Sequence, residues 1–310
     1  MSETNQTQFT PEQLALLKRM TMPSIFDPSA VKRKYLDVPY GTLPQQMLDV
    51  YLPPEGDGPF PLIIYVHGGG WTLGTKRECA LECIIGALNR GYALLSVDYR
   101  LAPATKFPEF LFDVKTAVRW ARANAAEYGF DAARFAIMGD SAGAHLALMT
   151  GFTAGHPEYE GEKYGWAGVS SAVQAVVDLY GPVLLDADNF ALLDASGVPK
   201  LSLTGSYDRA PLDKMMPYLS ADPDLLAVIS PTAYVHKDIP PVLIMQGEAD
   251  PIVPKQHSTA LYTRICDVCG PERAEIRLYP ERVHADYAFM SDETCATVVA
   301  FLDRVFQKQR

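Results

Sequence analysis

The sequence has little cysteine, no excess of positive charge and no long apolar run, and each absence limits the class of protein. Five cysteines, an odd number in 310 residues, predict reduced structural thiols. The formal net charge of -10 opposes binding to nucleic acid or to an anionic membrane surface. Because about 18 consecutive apolar residues are needed to cross a bilayer, we expect no membrane span.

The amino-terminal stretch also lacks a basic segment followed by an apolar one, which predicts no secretory signal and a cytoplasmic location. Two cysteine pairs have suggestive spacing: Cys266 and Cys269 form a CxxC motif, and Cys79 and Cys83 are one helical turn apart. A zinc or redox site is the alternative reading, but zinc needs further ligands at suitable spacing. We therefore predict no metal site.

Hydrophobic residues make up 48% of the chain, enough for a large core. Residues 1–30 are predicted to form an amino-terminal extension with a short helix that starts after Thr10. Two strand-like segments with a turn between them, 32–41 and 45–53, predict an antiparallel hairpin.

From residue 61 onward, strand-like and helix-like segments alternate. Continuous apolar runs such as "PLIIYV" are typical of strands buried on both faces of a sheet. This pattern predicts an α/β fold with a mainly parallel, doubly wound sheet in one domain, residues 1–310. The predicted strands are 61–68, 92–99, 134–140, 172–182, 241–250 and 274–281, and the predicted helices are 76–90, 108–129, 142–152, 255–266 and 292–308.

One segment, residues 182–235, interrupts this alternation and contains several prolines. We interpret it as a cap-like insertion over the carboxyl ends of the strands, where open α/β sheets bind ligands. The alternative is an irregular connection that does not contact substrate.

The stretch "AIMGDSAGAHLAL", residues 136–148, places Ser141 inside a G-x-S-x-G motif between a predicted strand and a predicted helix. In that context the motif is typical of a nucleophile elbow, whose glycines leave room for a sharp turn that exposes the serine hydroxyl. A bare G-x-S-x-G is a weak signal, and the flanking elements strengthen it. Ser141 is therefore the candidate nucleophile.

A serine hydroxyl needs a base to accept its proton, and the chain contains six histidines. In this type of site the histidine follows the final strand, and among the six only His284 meets that condition well. Asp250, at the end of the penultimate strand, is the candidate that orients the imidazole. Glu248 and Asp178 are the alternatives for this carboxylate.

A glycine run, "HGGG" at residues 67–70, follows the predicted strand 61–68. Glycine N–H groups can approach a negatively charged tetrahedral intermediate without a side chain in the way. We predict an oxyanion hole formed by the N–H groups of Gly68, Gly69 and Ala142. The HGGG run, the G-x-S-x-G motif, Asp250 and His284 follow one another in this order along the chain. This combination is more specific than any one of the four parts.

On these motifs, the sequence resembles the α/β-hydrolase serine esterases, in particular the hormone-sensitive-lipase-like branch and the small bacterial feruloyl-esterase-like enzymes. The segments that carry the resemblance are "YVHGGGWTLGTK", "LLSVDYRLAP", the long segment that ends in "MGDSAGAHLA", and "SPTAYVHKDIPPVLIMQGEADPIVP". The resemblance covers the chain from about residue 45 onward. It implies an eight-stranded sheet, ester hydrolysis without a cofactor, and a small ester as substrate.

The sequence departs from these families at two places. Ala144 stands where a further glycine is common, and "PERV" precedes His284 where a glycine-containing turn is usual. Three aromatic residues, Trp71, Tyr180 and Phe190, are candidates for the walls of an apolar acyl or aryl pocket. For each of them the alternative is packing in the core.

Three other functions are compatible with parts of this pattern. An amidase such as an arylformamidase would use the same triad, and a peptidase usually carries an additional large domain. A non-catalytic binding protein of this fold typically lacks a triad member, whereas this chain has all three. Apolar strand edges and surface helices would support a homodimer, although nothing in the sequence specifies one.

Overall fold

The computed structural model describes residues 25–184 and 228–307. The predicted amino-terminal helix, most of the predicted insertion and Phe190 lie outside these ranges. The assignment of residues 1–310 to one domain therefore stays a prediction.

Eight strands form one sheet in the order β1-β2-β4-β3-β5-β6-β7-β8. The two pairings that involve β2 are antiparallel and the other five are parallel. This confirms the predicted entry hairpin and the mainly parallel sheet. The strands are β1 (Lys34–Pro39), β2 (Met47–Tyr51), β3 (Phe60–Val66), β4 (Ala93–Val97), β5 (Phe130–Asp140), β6 (Ala175–Leu179), β7 (Val242–Gly247) and β8 (Ala274–Tyr279).

Helices cover both faces of the sheet because the central strands are apolar on both sides. In β3, Leu62 and Ile64 pack into one core cluster, whereas Ile63 and Tyr65 pack into the other. The α-helices of the described residues are α1 (Glu82–Ile85), α2 (Glu109–Ala123), α3 (Ala125–Tyr128), α4 (Ala142–Phe152), α5 (Pro157–Glu160), α6 (Gln256–Cys269) and α7 (Asp292–Gln307). Short 3₁₀ helices occupy Pro28–Ala30, Cys79–Leu81, Gly86–Arg90, Glu162–Tyr164, Pro231–Tyr234, Pro271–Arg273 and Tyr287–Phe289.

Helix α4 matches its predicted bounds, and all eleven of its residues are buried. A helix that is apolar on every side is stable only inside a core, and α4 packs against β5 and β6. Its first turn therefore has a fixed position relative to the ends of the central strands.

The predicted helix 108–129 is divided into α2 and α3 at Asn124. The Asn124 side chain donates a hydrogen bond to the Trp120 carbonyl at 2.8 Å, and such bonds compete with helical backbone bonds. The predicted helix 76–90 is also broken, into two 3₁₀ segments around α1. Gly86 in this stretch lies so close to α7 that a Cβ there would be 3.3 Å from Cys295 Sγ, so packing and not helix propensity sets this backbone.

None of the helices among the described residues combines the length and the apolar character that crossing a bilayer requires.

Replacement of Ile64 by alanine should destabilise the fold strongly. Ile64 is fully buried in the central strand β3, and truncation of a buried isoleucine costs about 2–5 kcal/mol. Leu278→Ala is the matched control, because Leu278 in β8 is 36% exposed and its truncation should cost about 1 kcal/mol or less. Urea unfolding of both variants measures the difference, and equal losses would contradict this account of the core.

Candidate active site

The connection between β5 and α4 is a sharp turn with Ser141 at its centre. Ser141 has φ 50° and ψ -119°, a backbone conformation that costs energy for any residue with a Cβ. The turn is held by two backbone hydrogen bonds, from Ser141 N to the Leu179 carbonyl at 2.9 Å and from His145 N to the Ser141 carbonyl at 3.1 Å. The strain therefore persists because neighbouring elements hold the residue in place.

Gly139 and Gly143 permit this turn because the backbones around them are in close contact. A Cβ on Gly139 would lie 2.3 Å from the Gly143 carbonyl carbon. A Cβ on Gly143 would lie 2.1 Å from the Val66 carbonyl oxygen and 2.4 Å from that of His67. Both glycines of the motif are thus required by sterics, as the elbow interpretation predicts.

The structure brings Ser141, His284 and Asp250 together in one hydrogen-bonded chain. His284 Nε2 lies 2.9 Å from Ser141 Oγ, and His284 Nδ1 lies 2.8 Å from Asp250 Oδ2. The histidine and the aspartate are buried, at 6% and 7% exposure, whereas Ser141 is partly exposed. The three residues lie after β5, β7 and β8, at the carboxyl ends of parallel strands, where the sequence pattern predicts them.

The Asp250 carboxylate is fixed by three hydrogen bonds in addition to the one with His284. Its Oδ1 accepts from the backbone N–H groups of Ile252 and Val253, both at 2.8 Å, and its Oδ2 accepts from Gln246 Nε2 at 3.2 Å. These donors stabilise a buried negative charge and orient it toward the imidazole. Sequence reasoning missed Gln246, although a lone polar residue at the end of the apolar run "PVLIM" was a usable signal.

The two alternative carboxylates point elsewhere. Glu248 forms an ion pair with Lys255. Asp178 is fully buried and its Oδ1 accepts a hydrogen bond from Gly181 N at 2.8 Å. Neither makes a hydrogen bond to His284 among the described residues, so the geometry favours Asp250.

In the glycine loop after β3, one of the predicted oxyanion donors already has a hydrogen-bond acceptor within the protein. Gly68 is buried and its N–H donates to Asp140 Oδ1 at 3.0 Å, so this group is already engaged inside the protein. Gly69 and Gly70 are partly exposed and have φ values of 97° and 58°, which turn the loop back over the strand ends. Among the described residues, no hydrogen bond uses the N–H of Gly69 or Gly70, so the available glycine donors lie one residue later than predicted.

Ala142 is the first residue of α4, and its N–H belongs to the helical turn that has no intrahelical acceptor. The Ser141 side chain does not cap this helix, because its hydroxyl contacts His284 instead. No cap from the Ser141 side chain therefore engages the first-turn N–H groups of α4.

His67 stabilises the glycine loop. Its ring stacks on Tyr99 with centroids 4.3 Å apart, and its Nδ1 lies 2.9 Å from the Gly68 carbonyl oxygen. Burial lowers the pKa of His67 to about 4, so the imidazole is neutral at physiological pH. Its neutrality makes it a structural hydrogen-bonding group within the loop.

Two of the three predicted pocket aromatics, Trp71 and Tyr180, lie within the described residues, and both are buried. Trp71 is 3% exposed and packs edge-on against His145 with centroids 5.2 Å apart. Tyr180 is fully buried and its ring contacts the His284 imidazole with centroids 5.0 Å apart. Both residues lie in the core clusters, which is the alternative that the sequence left open, and Tyr180 packs against His284.

No disulfide joins the five cysteines, all of which lie within the described residues. Within residues 25–184 and 228–307, no group of three histidine, cysteine, aspartate or glutamate side chains is arranged to hold a metal ion.

A mainly parallel eight-stranded sheet, with a serine on the turn after β5, an aspartate after β7 and a histidine after β8, defines a protein of the α/β-hydrolase fold. Residues 48–265 match the model of the BD-FAE family. The chain belongs to this family, and its resemblance to α/β-hydrolase esterases is confirmed.

The chain is similar to two curated esterases of Mycobacterium tuberculosis. Esterase LipC is 31% identical over 73% of the chain and 53% of LipC, and esterase LipQ is 31% identical over 82% of the chain and 56% of LipQ. The chain thus spans little more than half the length of these relatives. A solved structure titled "Truncated form of carbohydrate esterase from gut microbiota" is 26% identical with a TM-score of 0.77, over 91% of this chain and 99% of that one.

Asp178→Asn should remove a pH dependence of stability. Burial raises the pKa of Asp178 to about 7, whereas the ordinary value for aspartate is 3.8. The folded protein therefore holds a proton that the unfolded chain releases between these values. The stabilising contribution is complete below pH 3.8 and is lost as the pH rises through 7.

Urea unfolding between pH 4 and pH 8 tests this expectation. The difference in unfolding free energy between Asp178→Asn and the parent should shift in favour of the variant as the pH rises. Glu248→Gln is the control, because Glu248 is paired near the surface. A constant difference for Asp178→Asn across the range would contradict the assignment.

Proposed function

We propose that the protein is a serine carboxylesterase that hydrolyses small carboxylic esters, with short-chain acyl or aryl groups, through an acyl-enzyme. The observation that carries the proposal is the continuous chain from Ser141 Oγ through His284 to Asp250, with distances of 2.9 and 2.8 Å. The names of the relatives support it, since they are esterases. The predicted cytoplasmic location and homodimer stay predictions.

In the proposed first step, Ser141 Oγ attacks the ester carbonyl carbon while His284 Nε2 accepts the hydroxyl proton. Asp250 holds the imidazole through Nδ1 and stabilises the imidazolium that forms. The carbonyl oxygen becomes an oxyanion, and the N–H groups of Gly69, Gly70 and Ala142 are the proposed donors to it. Collapse of the intermediate transfers the proton from His284 to the leaving alcohol.

In the second step, water replaces the alcohol. His284 accepts a proton from the water, and the resulting hydroxide attacks the acyl carbon. The carboxylic acid is released when Ser141 regains its proton. The residues supply every proton transfer, and each oxyanion forms beside the same donors.

Two exposed apolar side chains support a preference for apolar acyl or aryl groups. Leu73 is 61% exposed, and its N–H bonds to the Gly69 carbonyl at 3.0 Å, so it belongs to the proposed oxyanion loop. Ile252 is 40% exposed and its N–H bonds to Asp250. Both sit on loops that hold the site, and contact with an apolar ester group would remove them from water.

Ser141→Ala should abolish ester hydrolysis, because no other hydroxyl group among the described residues is hydrogen-bonded to His284. We expect turnover of p-nitrophenyl butyrate to fall by several orders of magnitude, and Asp250→Asn to lower it by about 10⁴-fold through loss of the correct imidazole tautomer. We would then compare turnover of p-nitrophenyl acetate, butyrate and octanoate, of methyl ferulate and of N-formylkynurenine. The preferred compound identifies the acyl group and shows whether the protein prefers an ester or a formamide bond. Ester turnover that persists in Ser141→Ala would overturn the proposal.

Leu73→Ser and Ile252→Ser should each weaken the use of longer acyl chains. We expect kcat/KM for p-nitrophenyl octanoate to fall about tenfold, because one apolar contact is worth about 1–3 kcal/mol, and kcat/KM for the acetate to stay within about twofold. Leu36→Ser is the matched control, since Leu36 is 37% exposed on β1 at one edge of the sheet. Equal losses for acetate and octanoate would argue against this contact.

A further inference from the structure

Asp140, the residue before Ser141, occupies a position that the proposed mechanism does not use. It is the last residue of β5 and is 7% exposed. A single carboxylate oxygen, Oδ1, accepts a hydrogen bond from Tyr65 Oη at 2.6 Å and another from Gly68 N at 3.0 Å. This oxygen therefore joins the nucleophile turn to strand β3 and to the glycine loop.

The contact between Asp140 and the glycine loop is close. A Cβ on Gly68 would lie 2.4 Å from Asp140 Oδ2, so only glycine allows the loop to approach the carboxylate at this distance. Because Gly68 precedes Gly69 and Asp140 precedes Ser141, the contact links the direct neighbours of a proposed oxyanion donor and of the nucleophile. A relative shift of the two segments requires that this bond break.

The buried environment of Asp140 disfavours the ionised form of its carboxylate. Burial raises its pKa, and within the described ranges it forms no ion pair with lysine or arginine. A buried carboxylate is tolerated when hydrogen bonds satisfy it, and here they come from Tyr65 and Gly68. The geometry thus makes Asp140 a fixed acceptor for the loop.

We propose that Asp140 is a positioning residue for the oxyanion hole, which holds Gly68 so that the N–H groups of Gly69 and Gly70 face the carbonyl oxygen of the ester that Ser141 attacks. This inference rests on the proposed function. Donors to an oxyanion are effective when they are preorganised, and they act on the transition state more than on the bound substrate. Loss of the link should therefore lower kcat and leave KM nearly unchanged.

The test compares Asp140→Ala with Asp140→Asn. Asparagine keeps an Oδ1 that accepts from both Tyr65 and Gly68, whereas alanine removes it. We expect Asp140→Ala to lower kcat for p-nitrophenyl butyrate about 10²-fold, the typical effect of one oxyanion donor, with KM within about threefold. Asp140→Asn should restore kcat to within about tenfold of the parent.

A second measurement, the inhibition constant of a transition-state analogue, distinguishes a defect in the oxyanion hole from a general loss of structure. An aryl trifluoromethyl ketone forms a reversible tetrahedral adduct with a catalytic serine and places a negative oxygen in the hole. Its inhibition constant should rise in Asp140→Ala by about the same factor as kcat falls, and recover in Asp140→Asn. An unchanged inhibition constant, or equal kcat losses in the two variants, would overturn the inference.

Asp49→Ala is the matched control for the loss of a buried carboxylate. Asp49 on β2 is fully buried and also accepts from a tyrosine hydroxyl, Tyr51 Oη at 3.0 Å, and from a backbone amide, Asp37 N at 2.8 Å. It also forms an ion pair with Arg77 at 2.6 Å, so its loss should destabilise the fold at least as much as the loss of Asp140. This variant should lose thermal stability while its kcat and its inhibition constant stay within about threefold. A loss of kcat as large as that of Asp140→Ala would mean that instability alone explains the result.

If Asp140→Ala does not fold, Tyr65→Phe decides the question, since it removes only one of the two donors to Oδ1. We expect kcat to fall about three- to tenfold, with a parallel rise of the inhibition constant, and unchanged values would overturn the inference.

Failure of the parent protein to show Ser141-dependent turnover would overturn the proposed function and the inference together. An active parent with an unaffected Asp140→Ala would overturn the inference alone.

Discussion

The close contact between the start of α4 and the end of β3 fixes the geometry of the site. At Gly143 the helix backbone touches the Val66 and His67 carbonyl groups so closely that no side chain fits between them. This contact holds Ser141 at positive φ, and it places the glycine loop beside the nucleophile. The sheet order makes it available, because β3 pairs directly with β5 although β4 and α2 separate them along the chain.

Around this contact, polar side chains such as His67, Asp140 and Asp250 are embedded in an otherwise apolar interior and are held by specific hydrogen bonds. For three buried groups, burial is the largest cause of a pKa shift: it lowers the pKa of His67 and His145 to about 4 and raises the pKa of Asp178 to about 7. The histidines that face the core are thus neutral structural groups. The Asp250 carboxylate accepts hydrogen bonds from two backbone N–H groups and from Gln246, and it contacts the His284 imidazole.

Several features could be predicted because they depend on local chemistry. The bounds of α4 follow from a continuous apolar run that begins after the G-x-S-x-G turn, and the positions of Asp250 and His284 follow from the ends of the last two strands. The break at Asn124 and the 3₁₀ geometry around Gly86 could not be predicted, because side-chain competition and packing against α7 override the helical pattern. The burial of Trp71 and Tyr180 likewise depends on neighbours that are distant in the sequence.

Periodicity and motif spacing are local properties of the chain, and they suffice to predict the strand and helix alternation, the glycines of the turn and the three groups of the hydrogen-bonded chain. Which glycine N–H groups remain available depends instead on contacts between distant segments. Gly68 and Gly69 are indistinguishable in the run "HGGG", and the Asp140 carboxylate, 72 positions away, engages one and leaves the next. Which glycine N–H group is engaged depends on atoms that come into contact only when β3 and β5 pair. A local sequence pattern therefore cannot predict it.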